Sequence, residues 1–213
     1  MKTDIASLRQ EYALASLDEK DVFKNPFDQF KKWFDEAVSS EETEPNAMIL
    51  ATVGRDNAPL QRTVLLKGFD AGSFTFFTNY ASEKGRQIAE NPTVSLLFPW
   101  INLQRQLIIQ GTASKIPREE SLAYFRSRPR GSQLGALVSN QSEKISSREV
   151  LEEKLAIAEK DFENQEVPLP DHWGGYVVKP SFFEFWQGRQ SRLHDRICFE
   201  LDGNEWKISR RSP

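Results

Sequence analysis

The sequence predicts an α+β domain made mainly of β-strands, in which peripheral helices surround an antiparallel barrel. Short apolar and β-branched runs, typical of strands, follow one another from residue 47 onward. The turns between the first of these runs are short enough for hairpins, so neighbouring strands are expected to pair antiparallel. Segments with helical periodicity precede and interrupt the runs. Together these patterns indicate one mixed domain around a barrel.

The domain organisation follows from what the 213 residues lack. They contain no internal repeat, low-complexity tract or Gly/Ser linker, so a single domain is expected over residues 21–213. Residues 1–20 are expected to form a helical segment in front of it, because Ile5, Leu8 and Tyr12 recur at helical spacing.

The next element is a helix with a clear start signal. Asn25 is the expected N-cap and Pro26 the first helical residue. The side chains expected to face inward are Phe27, Phe30, Phe34 and Val38. Later helices are predicted over residues 82–90, 117–125 and 146–162.

The strands are predicted in two groups with hairpin turns between them. Asp56-Asn57, Asp70-Ala71-Gly72 and Asp202-Gly203-Asn204 are the turn sequences. The predicted strands cover residues 47–53, 63–69, 74–78, 94–98 and 107–111, and then 176–178, 182–186, 192–201 and 206–209.

Composition excludes several classes of protein. No apolar run approaches the roughly 18 residues of a membrane-spanning helix, and the first ten residues lack the apolar core of a secretory signal, so a cytoplasmic protein is expected. The formal net charge of −3 argues against nucleic acid as a general partner. Cys198 is the only cysteine and His172 and His194 the only histidines, so neither an internal disulfide nor a metal site is expected.

The chain also lacks the glycine-rich loops that bind nucleotides. Neither Gly-x-Gly-x-x-Gly nor a Walker loop is present. Any bound phosphate must therefore be held by side chains.

Arg62 and Lys67 are the first candidates, at the two ends of the apolar run RTVLLK. Five residues apart, they would project to opposite faces of a regular strand. One could then reach a cofactor and the other a substrate. The alternative is that both are solvated strand ends.

Tyr124, Arg128 and Ser132 form a second candidate group, spaced by four residues on a helix that Pro129 is expected to end. A guanidinium fork and two hydroxyls suit a phosphate. A solvated helix end is one alternative. An RNA-binding loop that uses Arg126, Arg128 and Arg130 is another.

Arg192, His194 and Arg196 would share one face of a strand by their alternation. Three such side chains are costly together unless an anion or polar ligand faces them. An exposed, charged edge strand is the alternative. Trp186, just upstream, could flank a flat ring, although aromatic residues in strands are usually part of a core.

Several long motifs in order resemble one family. From residue 8 to residue 213 the sequence is similar to the pyridoxamine 5′-phosphate oxidase family, a resemblance carried by RTVLLK (62–67), FFTN (76–79), VSLLFPW (94–100), RQ (105–106), YFRSRPRGSQLGA (from residue 124), FWQG and RLHDR.

The resemblance implies an antiparallel FMN-binding split β-barrel with peripheral helices, as a homodimer with FMN at the subunit interface. It implies oxidation of pyridoxamine or pyridoxine 5′-phosphate to pyridoxal 5′-phosphate by hydride transfer to FMN, with O2 reduced to hydrogen peroxide. Neither nucleic acid nor a membrane is an implied partner. The implied FMN-binding residues are Arg62, Thr63, Val64, Leu65, Leu66, Lys67, Phe77, Thr78, Lys84, Gln106, Gln141, Ser142, Trp186 and Arg196.

The same resemblance implies how substrate is held. Arg192 and His194 would lie over the pyridine ring as the catalytic residues, with Leu193 between them. The N-terminal segment would close over the substrate as a lid. The residues implied for the phosphate are Lys67, Tyr124, Arg128 and Ser132, and those implied for the lid are Arg9, Gln10, Glu11 and Tyr12.

Three positions depart from the family pattern. Glu83 precedes Lys84 where many relatives have a cation, so weaker FMN binding is expected. Phe77 replaces a frequent tyrosine, and Gln10 replaces a lid arginine. Two alternative functions therefore stay open: another split-barrel flavin oxidoreductase, or a non-catalytic protein that binds pyridoxal phosphate or FMN.

Overall fold

In the computed structural model, which describes residues 4–8 and 10–213, nine antiparallel strands form one sheet flanked by five α-helices. The predicted α+β class with an antiparallel sheet is confirmed. The helices are α1 (Pro26–Val38), α2 (Glu83–Glu90), α3 (Arg118–Ser127), α4 (Arg130–Val138) and α5 (Glu149–Asp161). The strands are β1 (Ala47–Val53), β2 (Pro59–Leu65), β3 (Gly68–Phe69), β4 (Phe74–Asn79), β5 (Thr93–Trp100), β6 (Arg105–Lys115), β7 (Trp173–Gln187), β8 (Asp195–Asp202) and β9 (Glu205–Arg210).

The long strand β7 organises the sheet, whose main path runs β2-β1-β5-β6-β7-β4-β3. One edge of β7 pairs with β6 along nearly its whole length. Its other edge pairs with β4 over Trp173–Val178 and with β8 over Phe182–Gln187. Between these partners lies Pro180, which has no N–H to donate, and the register with β6 shifts there. The two strands predicted over 176–178 and 182–186 are thus one strand that changes partner at a bulge.

The main core lies between α1 and the sheet. As predicted, the Asn25 side chain accepts a hydrogen bond from the Phe27 N–H at 2.9 Å, and Pro26 begins the helix. Phe30 and Trp33 are buried against rings from β4, β5 and β7. The prediction that Val38 faces inward is wrong, because this last residue of α1 lies beyond the sheet contact and is 56% exposed.

Replacement of Phe30 by alanine is expected to lower the free energy of unfolding by about 3–5 kcal/mol, because it leaves a cavity at a fully buried site. Urea unfolding measures the loss. Val38→Ala is the control on the same helix and should change the stability by less than about 0.5 kcal/mol. Similar losses in the two variants would contradict this assignment of the core.

A second, smaller core lies beneath α3, α4 and α5, where Trp173 of β7 packs with Phe125 and Leu134. The helix α4 was not predicted from the sequence. Pro129 ends α3 as expected, but it is also the N-cap residue of α4, a position that a proline tolerates. The predicted helix end at Pro129 is therefore the corner between two consecutive helices, α3 and α4.

The predicted N-terminal helix does not form. Only Ile5–Ser7 adopt a short 3-10 turn, and the residues from Gln10 to Leu17 are not helical. Ile5 and Leu8 are 77% and 73% exposed, so the apolar spacing has no surface to pack on, and a short isolated helix is unstable in water.

Two predicted strands have different limits. The strand predicted over 63–69 stops at Leu65, because the backbone changes partner: the Leu66 N–H bonds to Asn46 O beside β1, and the Lys67 N–H bonds to Thr75 O of β4, both at 2.8 Å. The strand predicted over 192–201 begins only at Asp195. Before it, a 3-10 turn covers Gln190–Arg192.

Candidate active site

A cavity of about 630 Å3 lies beside β2 and β4 and is also lined by residues of α2, α3 and α4. Four cations line it, and no described residue of its lining is acidic. Such a surplus of positive charge indicates an anionic ligand. The predicted residues that the cavity brings together are Arg62, Thr63, Val64, Leu65, Lys67, Phe77, Thr78, Lys84, Tyr124, Arg128, Ser132 and Gln141.

Arg62 and Lys67 both line this cavity, and the regular strand on which the prediction of opposite faces depended does not extend from one to the other. The reason is the end of β2 at Leu65, after which the chain is no longer a regular strand. Their alternative interpretation as solvated strand ends does not hold for Arg62, whose guanidinium bonds to β1.

Arg62 and Lys84 form a first cationic pole. The Lys84 ammonium donates to Gln141 Oε1 at 2.8 Å and to Ser82 Oγ at 3.3 Å. Burial, and next the charge of Arg62, lower the pKa of Lys84 to about 8. Burial also lowers the pKa of Arg62. The lowered pKa values show that the charged forms of both side chains are disfavoured here, and an anion between them would stabilise these charged forms.

Arg128 forms a second pole at the corner between α3 and α4. Its guanidinium carbon lies 4.6 Å from the centre of the Trp173 ring, and its Nη1 is buried without a hydrogen-bond partner. Burial lowers the pKa of Arg128. Tyr124 and Ser132 line the same region of the cavity. An unpartnered buried guanidinium nitrogen is a costly group that a bound anion would satisfy.

An aromatic wall connects α3 with β4 and β7. The Phe77 and Tyr124 rings stack with centroids 3.8 Å apart, and Trp173 lies 5.6 Å from Phe77 and nearly parallel to it. Phe77, the departure from the family's tyrosine, thus fills an apolar stack and leaves no hydroxyl there to satisfy.

A second cleft of about 340 Å3 contains five more of the predicted residues. It is lined by Gln10, Glu11 and Tyr12 of the N-terminal segment together with Arg192 and His194. Arg9, predicted for the lid, lies outside the described residues. None of the described residues that line this cleft also lines the first cavity.

His194 is held in one orientation within this cleft. Its Nδ1 accepts a hydrogen bond from the Arg189 N–H at 3.1 Å, so the proton of the neutral ring lies on Nε2. Its ring lies 4.6 Å from Trp186 and 5.9 Å from Tyr12. Burial, and next the charge of Arg192, lower the pKa of His194. The ring is therefore a neutral donor through Nε2 near neutral pH.

The backbone around Arg192 is strained. Ser191 and Arg192 have φ angles of 55° and 60°, in the left-handed region that non-glycine residues rarely adopt. The prediction that Arg192, His194 and Arg196 alternate on one strand is wrong for the first two, which precede β8.

Asp195 connects the Arg192–His194 loop to other parts of the chain through hydrogen bonds. Its carboxylate accepts hydrogen bonds from the Leu17 N–H at 3.0 Å, from Arg189 at 2.8 Å and from Arg210 at 2.8 Å. Arg210 in turn pairs with Glu19. We call these five residues the Asp195 cluster. It joins the N-terminal segment, the Arg192–His194 loop and β9.

Several predicted residues lie elsewhere in the single chain. Leu66 is buried in the main core, and Leu193 is 69% exposed. Gln106 is paired with Trp186 across β6 and β7. The Ser142 hydroxyl accepts from the Glu83 N–H, close to Lys84. Arg196 forms a two-point ion pair with the buried Glu184.

Sequence patterns did not indicate a role for Trp173, for Asp195 or for a buried polar pair, Thr52 and Gln87. Thr52 could have been noticed as the one polar residue in the buried row Met48, Leu50, Thr52 of β1. Over the residues that the structure describes, no group of three or more His, Cys, Asp or Glu side chains could hold a metal ion. None of the described helices combines the length and apolarity needed to cross a membrane.

Comparison with known proteins identifies two family models in the chain. Residues 34–159 match the model described as pyridoxamine 5′-phosphate oxidase. Residues 173–213 match the model described as the pyridoxine 5′-phosphate oxidase C-terminal dimerisation region. Together they include both cationic poles and the Arg192–His194 loop.

Similar proteins match over nearly the whole chain. A pyridoxine/pyridoxamine 5′-phosphate oxidase of Aliarcobacter butzleri is 55% identical over 99% of this chain and 100% of its own length. One of Acaryochloris marina is 50% identical over 100% of this chain and 97% of its own length. The crystal structure of PhzG from Burkholderia lata, in complex with tetrahydrophenazine-1-carboxylic acid, superposes with a TM-score of 0.88 at 28% identity and covers 94% of this chain and 99% of its own.

Proposed function

The chain belongs to the pyridoxamine 5′-phosphate oxidase family, and from that premise we propose that it oxidises pyridoxine and pyridoxamine 5′-phosphate to pyridoxal 5′-phosphate with FMN as cofactor. The observation that carries this proposal is the cavity with two cationic poles and no acidic residue in its described lining. FMN and the substrate each bring one phosphate, and each pole suits one of them.

The residues fit FMN on four grounds. The cavity volume of about 630 Å3 is within the range of cofactor sites. Arg62 and Lys84 supply charge for its phosphate, and Val64 and Leu65 supply apolar surface for a flat ring. Lys67, Thr63, Thr78 and Gln141 would give it polar contacts. We extend the proposal to Leu66, Phe77, Gln106, Ser142, Trp186 and Arg196, as the family resemblance implies.

The substrate phosphate is assigned to the second pole. Arg128 would bond through its unpartnered Nη1, with Tyr124, Ser132 and Lys67 as further partners. Charge-assisted hydrogen bonds of this kind contribute about 1.5–3 kcal/mol each. This pole would distinguish the phosphorylated substrate from the free vitamin.

When bound, FMN supplies the acceptor for a hydride and passes the electrons to O2, which becomes hydrogen peroxide. The chain's own residues align the substrate. Arg192 places a positive charge near the ring, and His194 offers its Nε2–H as a donor. Leu193 and the segment from Arg9 to Tyr12 would close over the bound substrate and exclude water.

Two copies of the chain are part of the proposal. Residues 173–213 match a dimerisation region, and Arg192 and His194 lie in a cleft that is separate from the cationic cavity within one chain. A homodimer in which the cleft of one subunit faces the cavity of the other would complete the site, with FMN at the interface.

An anaerobic spectrum tests the proposed function. Addition of pyridoxine 5′-phosphate to the flavin-loaded protein should bleach the flavin band, and air should restore it with formation of pyridoxal 5′-phosphate. A flavin band that does not respond to the substrate would indicate another split-barrel oxidoreductase. A protein that cannot be loaded with FMN would overturn the proposal and favour a binding protein for pyridoxal phosphate.

FMN binding is expected to weaken as the pH rises above 8. Because the pKa of Lys84 is lowered to about 8 in the protein without ligand, its ammonium is charged at pH 7 and mostly neutral at about pH 9.5. Only the charged form attracts phosphate, so the Kd should rise by up to about tenfold per pH unit above 8. Fluorescence titration with FMN measures this slope. Lys84→Met should bind FMN more weakly and lack most of the slope; equal slopes would contradict the role of Lys84.

A further inference from the structure

Gln87 and Thr52 form a buried polar pair beneath the first cationic pole. Thr52 is fully buried on β1, and Gln87 is buried on α2. The Thr52 hydroxyl donates to Gln87 Oε1. Neither residue lines the cavity. Buried polar groups destabilise a protein unless they form hydrogen bonds. The presence of these two polar side chains at a buried position therefore calls for a structural reason.

That reason is contact with the Arg62 guanidinium. Its Nη1 donates to Thr52 Oγ1 and, at 3.1 Å and 3.3 Å, to the carbonyl oxygens of Leu60 and Leu50. Its Nη2 lies 3.5 Å from Gln87 Oε1. Each of these acceptors is neutral. The side chain is therefore fixed in place while its positive charge is left unmatched.

Three other arginines with partly buried side chains are supported differently. Arg105 pairs with Glu36, Arg196 with Glu184, and Arg210 with Glu19. Lys84, the neighbour of Arg62, shares the neutral support, since it donates to Ser82 and Gln141. Arg62 and Lys84 thus differ from these three arginines in that the hydrogen-bond acceptors they contact are all neutral.

The charges that face Arg62 are those of Lys84 and Glu83. Lys84 repels it, since the charge of Arg62 contributes to the lowered pKa of Lys84. Glu83 lies on the exposed side of α2 and acts on Arg62 at a distance, and it forms no ion pair with Arg62 or Lys84 in the part of the chain that the structure describes. A carboxylate at position 87 would instead contact the guanidinium directly.

We propose that Gln87 is a positioning residue whose neutral amide holds the Arg62 guanidinium without neutralising it, which reserves that charge for the phosphate of FMN. The inference rests on the proposed function, because it takes FMN as the ligand of this pole. It goes beyond that function by assigning a role to a residue that does not contact the ligand.

The replacement Gln87→Glu separates a charge effect from a structural one. The two side chains have nearly the same shape, and a glutamate would keep an acceptor for Arg62 and Thr52. The stability of the variant should therefore be equal to or above that of the wild type. Its affinity for FMN should fall by about 10- to 100-fold, the size of one charge-assisted phosphate contact.

Riboflavin, which lacks the phosphate, is the second probe. Fluorescence titration of the unliganded protein gives the Kd of both flavins. Gln87→Glu should raise the Kd of FMN and leave the Kd of riboflavin within about twofold of the wild-type value. The preference of the protein for FMN over riboflavin should therefore collapse. Thr52→Asp places a carboxylate on the same guanidinium from β1 and should give the same collapse, which keeps the test open if one variant does not fold.

Gln29→Glu is the matched control. Gln29 is buried on α1, outside the cavity, and its Oε1 accepts from the Phe23 N–H. Its replacement should leave the FMN-to-riboflavin ratio within about twofold. An unchanged ratio in Gln87→Glu, or equal weakening of both flavins, would overturn the inference alone. Failure of the wild type to bind FMN would overturn the proposed function as well.

Discussion

Replacement of Arg192 by leucine is expected to reduce kcat/KM for pyridoxine 5′-phosphate by about 100- to 1,000-fold, the usual effect of removing one preorganised charge from a reacting centre. Arg192 lines the second cleft with His194 and forms no ion pair among the described residues, so its charge is free to act on a ligand. The strained backbone at Arg192 supports the same role, because such strain is concentrated at functional sites.

Steady-state rates and flavin content of the purified variant measure this effect together. FMN content should stay near that of the wild type, because Arg192 does not line the cavity assigned to FMN. Arg192→Lys is the control: it keeps the charge and accepts the same backbone, and should recover part of the rate. Turnover of Arg192→Leu within twofold of the wild type, with flavin bound, would exclude the proposed role.

Replacement of Arg128 by methionine is expected to raise KM for pyridoxine 5′-phosphate by about 10- to 100-fold with a smaller change in kcat, because the lost contact holds the phosphate and not the reacting carbon. The structure adds a second expectation. Since Nη1 of Arg128 is buried without a partner, its removal should leave the melting temperature of the unliganded protein unchanged or raise it.

Arg126→Met is the matched control at the same end of α3. Arg126 is mostly exposed and pairs with Glu166 at the surface, and such pairs contribute little. Its KM should stay within about twofold of the wild type. If Arg126→Met and Arg128→Met raised KM equally, the phosphate would be held by the general charge of this corner and not by Arg128.

The parts of the fold that were predicted correctly depend on local signals. The start of α1 follows from Asn25 and Pro26, which act within one turn of the chain. The end of β2 at Leu65 could not be predicted in this way, because it results from a change of partner from β1 to β4. The start of β8 was placed too early because period-2 alternation does not register the positive φ angles at residues 191 and 192.

The residues of the candidate site also fall into those that could be predicted from the sequence and those that could not. Arg62 and Arg128 were found through motifs of consecutive residues and Lys84 through the family resemblance, and all three line one cavity. Gln87 and Asp195 were missed, since their importance lies in contacts with Arg62 and Leu17, which are far away in the sequence. Trp173 was missed because its role is to pack against Arg128 from the start of β7, which is far away in the sequence.

The Asp195 cluster also sets an order of events during synthesis. Leu17 and Asp195 are 178 residues apart, and Glu19 and Arg210 are 191 apart. At the usual rates of translation, Glu19 is added to the chain about 10–40 s before Arg210. The N-terminal segment therefore cannot dock beside His194 until the last residues of the chain have been synthesised. A nascent chain that already contains β1 to β7 still lacks the contacts of Leu17 and Glu19 with Asp195 and Arg210.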